Sequence, residues 1–404
     1  MLMKKVVDLF AGCGGLSLGF QNAGFEIVGA YEFWDKAATT YEVNFDHPIH
    51  REDLSDVNNA IRRIRTLNPD IIIGGPPCQD FSHAGKRVEN KRAALTEAFA
   101  DIVSAIAPRW FVMENVDRAQ KSSSYATARN ILKNAGYGLT EIVLNAAFCG
   151  VPQKRKRFFC FGSLDAKDGF LSDYINANLS KTEMTIRDYF GQSLDFEYYY
   201  RHPRNYSRRA IYSIDEPSAT IRGVNRPVPQ GYPGHHLDAK ELDSSIRALT
   251  TLERALIQTF PPNFKWYGNK TDVELMVGNA VPVKLAEFVA KALSYHIQND
   301  KTVMYYIQAD NTKRGDGAYL VCEPFHEWLR DSQTMTERTQ RDTISRLKRA
   351  DAICAIPSVP EAYYLFSLEQ SEDFKSLTPS VRSQLKRAVS LYSDYRRAES
   401  SING

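Results

Sequence analysis

One cysteine, Cys78, stands where an open α/β sheet would place a reactive group. It lies in residues 74–79, GGPPCQ, directly after the apolar run 70–73, which predicts a short buried strand. The turn after such a strand lies at the carboxyl edge of the sheet, where open α/β sheets bind ligands. The two prolines restrict φ and stiffen this turn. The pattern predicts a nucleophile on a rigid turn, although a lone cysteine is more often a small buried hydrophobic residue.

Strands that alternate with helices must position this turn. Short apolar strands are predicted at 6–10, 26–31, 70–73, 109–116 and 157–162, and helices at about 16–23 and 93–107. The alternation predicts an α/β fold with a doubly wound, mostly parallel sheet.

A glycine-rich turn and a carboxylate favour an adenosine-containing cofactor. Residues 12–15, GCGG, join the first strand to the first helix, although their spacing is not that of the G-x-G-x-x-G fingerprint. Glu32 ends the second strand about 20 residues later, where a carboxylate can accept hydrogen bonds from ribose hydroxyls. Phe33 and Trp34 could stack on a purine or pack in the core, and Asp53 could accept from an adenine amino group.

Composition sets further limits. The chain has 404 residues, of which 43% are hydrophobic and 25% charged, and its net charge is +3. These values are ordinary for a globular protein of two or three domains, and any polyanion must be bound by a local patch. The 6 cysteines show no metal-binding or disulfide spacing. No secretory signal or membrane span is predicted, so we expect a cytoplasmic protein without a structural metal.

Six motifs, in order, resemble those of the cytosine-C5 DNA methyltransferase family of the bacterial restriction-modification type. They are DLFAGCGG at 8–15, PPCQ at 76–79, ENV at 114–116, QKRKR at 153–157, RALTTLER at 247–254 followed by FP at 260–261, and GNAVP at 278–282. The resemblance covers about residues 4–297 and implies a Rossmann-like, S-adenosylmethionine-dependent enzyme. Its substrate would be a cytosine flipped out of double-stranded DNA. The chemistry agrees, since addition of a thiolate to C6 makes C5 nucleophilic enough to attack an activated methyl group.

The resemblance also implies a role for individual residues. Catalysis would rest on Cys78 as nucleophile, Glu114 at N3 and the exocyclic amine, Arg157 at O2, and Arg155 in support of the loop. S-adenosylmethionine would be bound by Phe10, Gly12, Gly15, Leu16, Glu32, Phe33, Asp53, Leu54, Pro77, Leu95, Asn279 and Val281. Phe33 departs from the family, in which a tryptophan usually follows the ribose carboxylate. Residues 80–87 resemble the mobile loop that closes over the flipped DNA, with Ser82, Lys86 and Arg87 near phosphates.

The segment 163–246 corresponds to the family's short target-recognition domain. One stretch of it, 198–209, interleaves aromatic residues with arginines, and a second, 220–227, contains two further arginines. The predicted DNA contacts are Arg201, Arg204, Arg208, Arg209, Thr220, Arg222 and Arg226. Arginine can pair with guanine, although phosphate contact is the commoner role. A short palindrome that contains guanine is therefore the expected target.

Four segments organise the chain. The catalytic and cofactor-binding domain is expected at 1–162, the target-recognition domain at 163–246, the return to the catalytic domain at 247–299, and an extension of unknown role at 300–404. Strands at 303–307 and 318–321 and helices at about 324–332, 336–350 and 381–397 are predicted in this mainly helical extension. Its balanced charge favours solvated helix faces over DNA contacts for the clusters at 346–349 and 382–387. A partner-binding or accessory DNA-contact role stays open.

The preferred interpretation is a monomeric, site-specific DNA methyltransferase that protects DNA from a separate restriction endonuclease. A tRNA cytosine-C5 methyltransferase and a non-catalytic DNA-binding protein on the same fold are alternatives. The presence of Cys78, Glu114 and Arg157 argues against the binding protein. A nicotinamide-dependent oxidoreductase would leave the Pro-Cys-Gln turn unexplained and has the wrong glycine spacing.

Overall fold

A computed structural model describes residues 4–77, 86–191, 193–203, 205, 207–299, 323–332, 335–353, 365, 368–369 and 371–402. The chain divides into two compact units, Met1–Gln298 and Asn299–Gly404.

A seven-stranded sheet forms the centre of the first unit. The described strands are β1 (Lys5–Leu9), β2 (Glu26–Tyr31), β3 (Ile49–His50), β4 (Ile71–Gly74), β5 (Trp110–Val116), β6 (Tyr137–Asn145), β7 (Gln153–Lys154), β8 (Lys156–Leu164), β9 (Tyr198–Tyr200), β10 (Ile211–Ser213) and β11 (Ser218–Ala219). The sheet has the order β3-β2-β1-β4-β5-β8-β6. Of these seven strands, six run in the same direction and β8 runs opposite to them. The predicted fold class is therefore confirmed.

Helices connect and cover these strands. In the first unit they are α1 (Gly15–Asn22), α2 (Asp35–Glu42), α3 (Val57–Thr66), α4 (Lys86–Ile106), α5 (Ser123–Asn134), α6 (Ser172–Asn178), α7 (Ile186–Phe190), α8 (Thr251–Ile257), α9 (Lys270–Asn279) and α10 (Val283–Asn299). Helix α4 begins about seven residues before its predicted start, so Lys86 and Arg87 open a helix and do not belong to the predicted loop.

The strands that carry the site are buried on both faces. Every residue of β4 is buried, as are all but the last residue of β5 and the first of β1. Such strands are continuous apolar runs because helices cover the sheet on both sides. Phe99 and Val103 of α4 pack on one side of this core with Leu132 of α5.

The last part of the first unit returns to the glycine-rich turn. Phe260, Phe264 and Met276 share a buried cluster with Ala11 and Tyr41. A second cluster joins Tyr199, Ile214 and Ile221 to Leu249 and Val277. The segment after β8 therefore shares its core with α8 and α9.

The second unit has a hydrophobic core of its own. Its described helices are α11 (Glu323–Ser332), α12 (Glu337–Ile353), α13 (Glu372–Lys375) and α14 (Pro379–Ile402). Leu329, Leu347 and Leu385, from three of these helices, are buried together. The predicted helical extension is confirmed, whereas the strands predicted at 303–307 and 318–321 lie outside the described residues. Among the described helices, none combines the length and the apolar character that a membrane span requires.

Candidate active site and cofactor pocket

Two residues of the ENV motif hold the turn that leads to Cys78. Cys78 itself lies outside the described residues, which reach Pro77. Asn115 donates a hydrogen bond from Nδ2 to the carbonyl of Pro76 at 2.9 Å. A Cβ added to Gly75 would lie 3.0 Å from Oε2 of Glu114. The end of β5 therefore contacts the backbone of the turn directly, and glycine is the residue that permits this approach.

Glu114 and Arg157 form a shielded ion pair beside this turn. Arg157 Nε lies 3.0 Å from Glu114 Oε1, and the two side chains are 14% and 10% exposed. Their contact follows from the antiparallel register of β5 and β8, which pairs Val116 with Arg157 and Glu114 with Phe159. Diagonal neighbours in this register lie on the same face of the sheet.

The burial of this pair changes the acidity of its carboxyl group. Burial raises the pKa of Glu114, while the nearby guanidinium groups of Arg157 and Arg155 oppose this rise. Burial likewise lowers the pKa of Arg157, and Glu114 opposes the decrease. A carboxyl group with a raised pKa can share its proton with a ring nitrogen, and the adjacent guanidinium can donate to a ring oxygen.

Arg155 has different surroundings from Arg157. Its side chain is 1% exposed. It donates from Nη1 to the carbonyl of Ile221 at 2.9 Å, and from Nη2 to those of Gly278 at 2.8 Å and Ala280 at 3.0 Å. Arg155 lies between two strands, because β7 ends at Lys154 and β8 begins at Lys156, whereas Arg157 belongs to β8. Through these bonds Arg155 holds the segment at Ile221 close to the segment 278–280.

The carboxyl ends of β1 and β2 meet at Glu32. Its Oε2 accepts a hydrogen bond from the backbone N–H of Gly12 at 2.8 Å, and its Oε1 accepts one from that of Trp34 at 2.7 Å. Burial raises the pKa of Glu32. The side chain of Phe33 is 72% exposed. Phe10 has a positive φ of 59°, a strained conformation that clusters at ligand sites.

The glycine-rich turn also contacts the last motif. A Cβ on Gly15 would lie 2.3 Å from the carbonyl oxygen of Val281. The remaining residues predicted to bind cofactor differ in exposure: Leu16, Leu54 and Val281 are buried, Pro77 and Leu95 are partly buried, and Asp53 and Asn279 are exposed. Asp53 accepts a hydrogen bond from the backbone N–H of Ser55 at 2.9 Å. Most of the predicted set thus follows the ends of β1, β2 and β3 or lies in the segment 279–281, whereas Pro77 follows β4 and Leu95 lies in α4.

A buried polar chain beneath this turn was not predicted. Ser17 donates to Asp8 Oδ2 at 2.6 Å, Tyr41 donates to Ser17 Oγ at 2.7 Å, and the Tyr41 hydroxyl lies 2.6 Å from His47 Nε2. Burial raises the pKa of Asp8 from 3.8 to about 7. Within the described residues, Asp8 Oδ1 has no hydrogen-bond partner. A carboxylate inside an apolar strand was the sequence signal that could have identified this chain.

The predicted DNA contacts fall into two groups. Arg209 is paired with Glu216 and lies 4.2 Å from the Tyr212 ring, and Arg201 donates to the carbonyl of Thr220 at 2.9 Å. Thr220 donates in turn to the carbonyl of Lys154 at 2.6 Å. Arg222 donates to the carbonyl of His202. By contrast, Arg208 and Arg226 are exposed.

Other predicted DNA contacts cannot be placed in either group. Ser82 and Arg204 lie outside the described residues, as do the side chains of Lys86 and Arg87.

The fold and this site define an α/β methyltransferase: a doubly wound sheet with a glycine turn and an acidic residue at the ends of β1 and β2, and a Glu–Arg pair beside the segment 75–77. The family model for C-5 cytosine-specific DNA methylase matches residues 4–295, and the chain belongs to this family. It is therefore a DNA methyltransferase that acts on C5 of cytosine, as the sequence predicted. The family model ends before the second unit begins.

Individual relatives agree with this assignment. The Type II methyltransferase M.HindV of Haemophilus influenzae is 55% identical over 291 residues, which are 72% of this chain and 96% of that protein. The Type II methyltransferase M.HgiDI of Herpetosiphon aurantiacus is 54% identical over 298 residues, or 74% and 96%. The crystal structure of the S. pombe Dnmt2 methyltransferase matches with a TM-score of 0.55 at 18% identity, covering 74% of this chain and 99% of that one. This last similarity supports the fold alone.

Proposed function

We propose that this enzyme methylates a cytosine flipped out of duplex DNA at one short target sequence, through a covalent bond between Cys78 and C6. The observation that carries this proposal is the arrangement of Glu114, Arg157 and Asn115 around the turn that leads to Cys78. Three groups with separate tasks, an acid, a cation and a nucleophile, would act on one pyrimidine ring there.

S-adenosylmethionine is the methyl donor that fits the residues present. Glu32 is already oriented by two backbone N–H groups and keeps acceptor capacity for ribose hydroxyls. Exposed Phe33 offers an aromatic face for adenine. A Cβ added to Gly12 would meet nothing within 4 Å, so a ligand can lie close to the backbone there, while Gly15 lets the Val281 carbonyl approach the same turn.

The other predicted residues complete this pocket. Asp53 and Leu54 would lie at the adenine edge, Asn279 and Val281 at the methionine end, and Phe10, Leu16, Pro77 and Leu95 along the walls. When bound, this donor supplies a methyl group activated by a sulfonium.

The reaction would proceed in two stages: addition of the Cys78 thiolate to C6, and its elimination after methyl transfer. The Cys78 thiolate forms a bond to C6 while Glu114 shares a proton with N3 and Arg157 donates to O2, so that charge pushed into the ring is neutralised. C5 would then bond to the methyl group as the bond from that carbon to the sulfonium sulfur of the donor breaks, which leaves a neutral thioether as the leaving group. Loss of the C5 proton and cleavage of the Sγ–C6 bond restore the aromatic ring and the thiolate.

The described cysteines are unsuited to the role of nucleophile. Cys13, Cys149 and Cys160 are buried. Burial raises the pKa of each thiol to about 12. Because the thiolate is the reactive form, these three are inert near neutral pH. This contrast supports Cys78, which follows Pro76 and Pro77 in the sequence, as the proposed nucleophile.

Transfer of labelled methyl groups to duplex DNA and to tRNA tests this proposal. We expect label on DNA alone, and bisulfite sequencing should map it to C5 of cytosine within one short motif. The Arg157→Gln variant should lose about 10²- to 10³-fold in kcat, as expected for a donor to a developing charge. Arg129→Gln is the matched control, because Arg129 pairs with Glu141 away from the turn. Label on tRNA alone would favour the RNA alternative.

We further propose that the enzyme acts as a cytoplasmic monomer and protects DNA from a separate restriction endonuclease. The Type II names of its relatives support this role. Genomic DNA from cells that express the protein should resist endonucleases that cut at the mapped motif. Light scattering should give a mass near 45.8 kDa, and a dimer mass would refute the monomer.

A further inference from the structure

Helix α12 of the second unit has two chemically opposite faces. One face is buried and carries Thr343, Ile344, Leu347 and Ala350. The exposed side carries Arg338, Arg341, Lys348 and Arg349. At 3.6 residues per turn these four cations fall within an arc of about 100° on the side opposite the buried residues. We call these four residues the basic face.

Two exposed carboxylates, Glu337 and Asp342, flank the basic face on the same helix, but neither forms an ion pair with its cations in the described part of the chain. Elsewhere in the second unit, Arg330 pairs with Asp331 at 2.9 Å and Lys386 pairs with Glu369 at 2.7 Å. In the described part of the chain no ion pair is found for any of the four. Arg341 donates only to the carbonyl of Glu337, one turn earlier, at 3.4 Å. Their charge therefore remains available to an external anion.

We infer that the basic face binds the phosphate backbone of duplex DNA outside the methylated site. From Arg338 to Arg349 the helix rises about 16 Å, which corresponds to about five nucleotide steps along one strand. Ser345 lies between the cations and Ala352 follows them on the same side of the helix, and both are small enough to let the helix approach the backbone. Because phosphate contacts carry no sequence information, this contact adds affinity and leaves the target unchanged.

Duplex DNA is the polyanion that the rest of the molecule favours. The inference rests on the proposed DNA substrate, since a second contact on the same polymer gains from its high local concentration. The whole chain has a net charge of only +3, so attraction must come from local patches. The four unpaired cations of the basic face are such a patch, and they revise the expectation of a merely solvated helix.

The test uses the full chain with the fourfold variant R338Q/R341Q/K348Q/R349Q. Its matched control is R330Q/K375Q/K386Q/R396Q, which removes the same charge from other parts of the second unit. Fluorescence anisotropy measures binding to a duplex without the target motif at several salt concentrations. We expect the slope of log K against log salt to fall in magnitude by about 2 to 4 in the test variant, and by less than about 1 in the control.

A single substitution provides an independent test in case the fourfold variant does not fold. Ser345→Glu puts a negative charge in the middle of the basic face and should weaken the same binding, whereas Ser383→Glu on α14 should not. Equal slopes for test and control variants would overturn the inference. So would intact DNA binding combined with lost binding to RNA or to anionic vesicles.

Methyl transfer separates this inference from the proposed function. On saturating target DNA the fourfold variant should keep the kcat of the wild type and show a raised KM. If the wild type transfers no methyl group to DNA, the proposed function fails, while the salt slopes still decide whether the basic face binds DNA.

Discussion

Replacing Arg155 by lysine distinguishes a positioning role from a chemical one. The guanidinium bonds the buried carbonyls of Ile221 and Gly278 and the partly buried carbonyl of Ala280, at 2.8 to 3.0 Å. A lysine ammonium is a compact donor that can satisfy one of the two buried carbonyls. The other then loses its bond, which costs about 1 to 3 kcal/mol, whereas the Ala280 carbonyl still accepts from Gln258 Nε2 at 3.2 Å. We expect Arg155→Lys to lower the free energy of unfolding by about 1 to 3 kcal/mol.

Urea unfolding combined with steady-state kinetics measures both roles at once. The control is Arg129→Lys, whose half-exposed pair with Glu141 should contribute less than about 1 kcal/mol. In Arg155→Lys the KM for S-adenosylmethionine should rise, because Gly278 and Ala280 adjoin the segment proposed to close the pocket. The kcat at saturation should change by less than about tenfold. Unchanged stability with a kcat loss of 100-fold or more would refute the positioning role.

Three further predictions address the acid, the buried chain and the glycine turn. The Glu114→Gln variant cannot share a proton with N3, so its kcat should fall about 10²- to 10³-fold in the label assay. Glu141→Gln is the control variant, and an equally small loss of kcat in both variants would contradict the assignment of Glu114 as the acid. Since burial raises the pKa of Asp8 from 3.8 to about 7, the folded state keeps a proton that the unfolded state releases between these values. Stability should therefore fall as pH rises through this window, by up to about 4 kcal/mol. Urea unfolding at pH 5 and pH 8 covers the upper part of this window, so the wild type should lose about 3 kcal/mol between them and Asp8→Asn should not, and equal losses would count against it. Gly15→Ala, whose Cβ would meet the Val281 carbonyl at 2.3 Å, should weaken S-adenosylhomocysteine binding at least tenfold by calorimetry, and normal affinity would show that the turn can adjust.

The interior strands of the sheet could be predicted because burial on both faces requires a continuous run of apolar residues in the sequence. Strand β2 has the predicted bounds, and β4 lies within one residue of them. Strand β6 was missed, since it lies at the edge of the sheet and carries Gly138, Thr140 and Glu141 within its apolar pattern. The direction of β8 depends on its connection to β6, which contains no crossover helix of the kind that parallel strands need.

The motifs named candidate site residues but could not predict how these residues contact one another. The motifs identified Glu114 and Arg157, but their contact depends on the register of two strands about 40 residues apart in the chain. The bonds of Arg155 reach residues 66, 123 and 125 positions away. A local sequence pattern cannot predict contacts between residues so far apart in the chain. The burial of Arg155 against the segments at 221 and 278–280 is therefore visible only in the structure.

Trapping the covalent complex tests the central claim most directly. A duplex with 5-fluorocytosine at the mapped target position should stop the reaction after methyl transfer, because fluorine cannot leave C5 as a proton does. With S-adenosylmethionine, the wild type should give a complex that survives denaturing electrophoresis, and mass spectrometry should find the DNA on the peptide that contains Cys78. Cys78→Ser should give none. No complex with the wild type, or a link to Cys13, Cys149 or Cys160, would contradict the proposed mechanism.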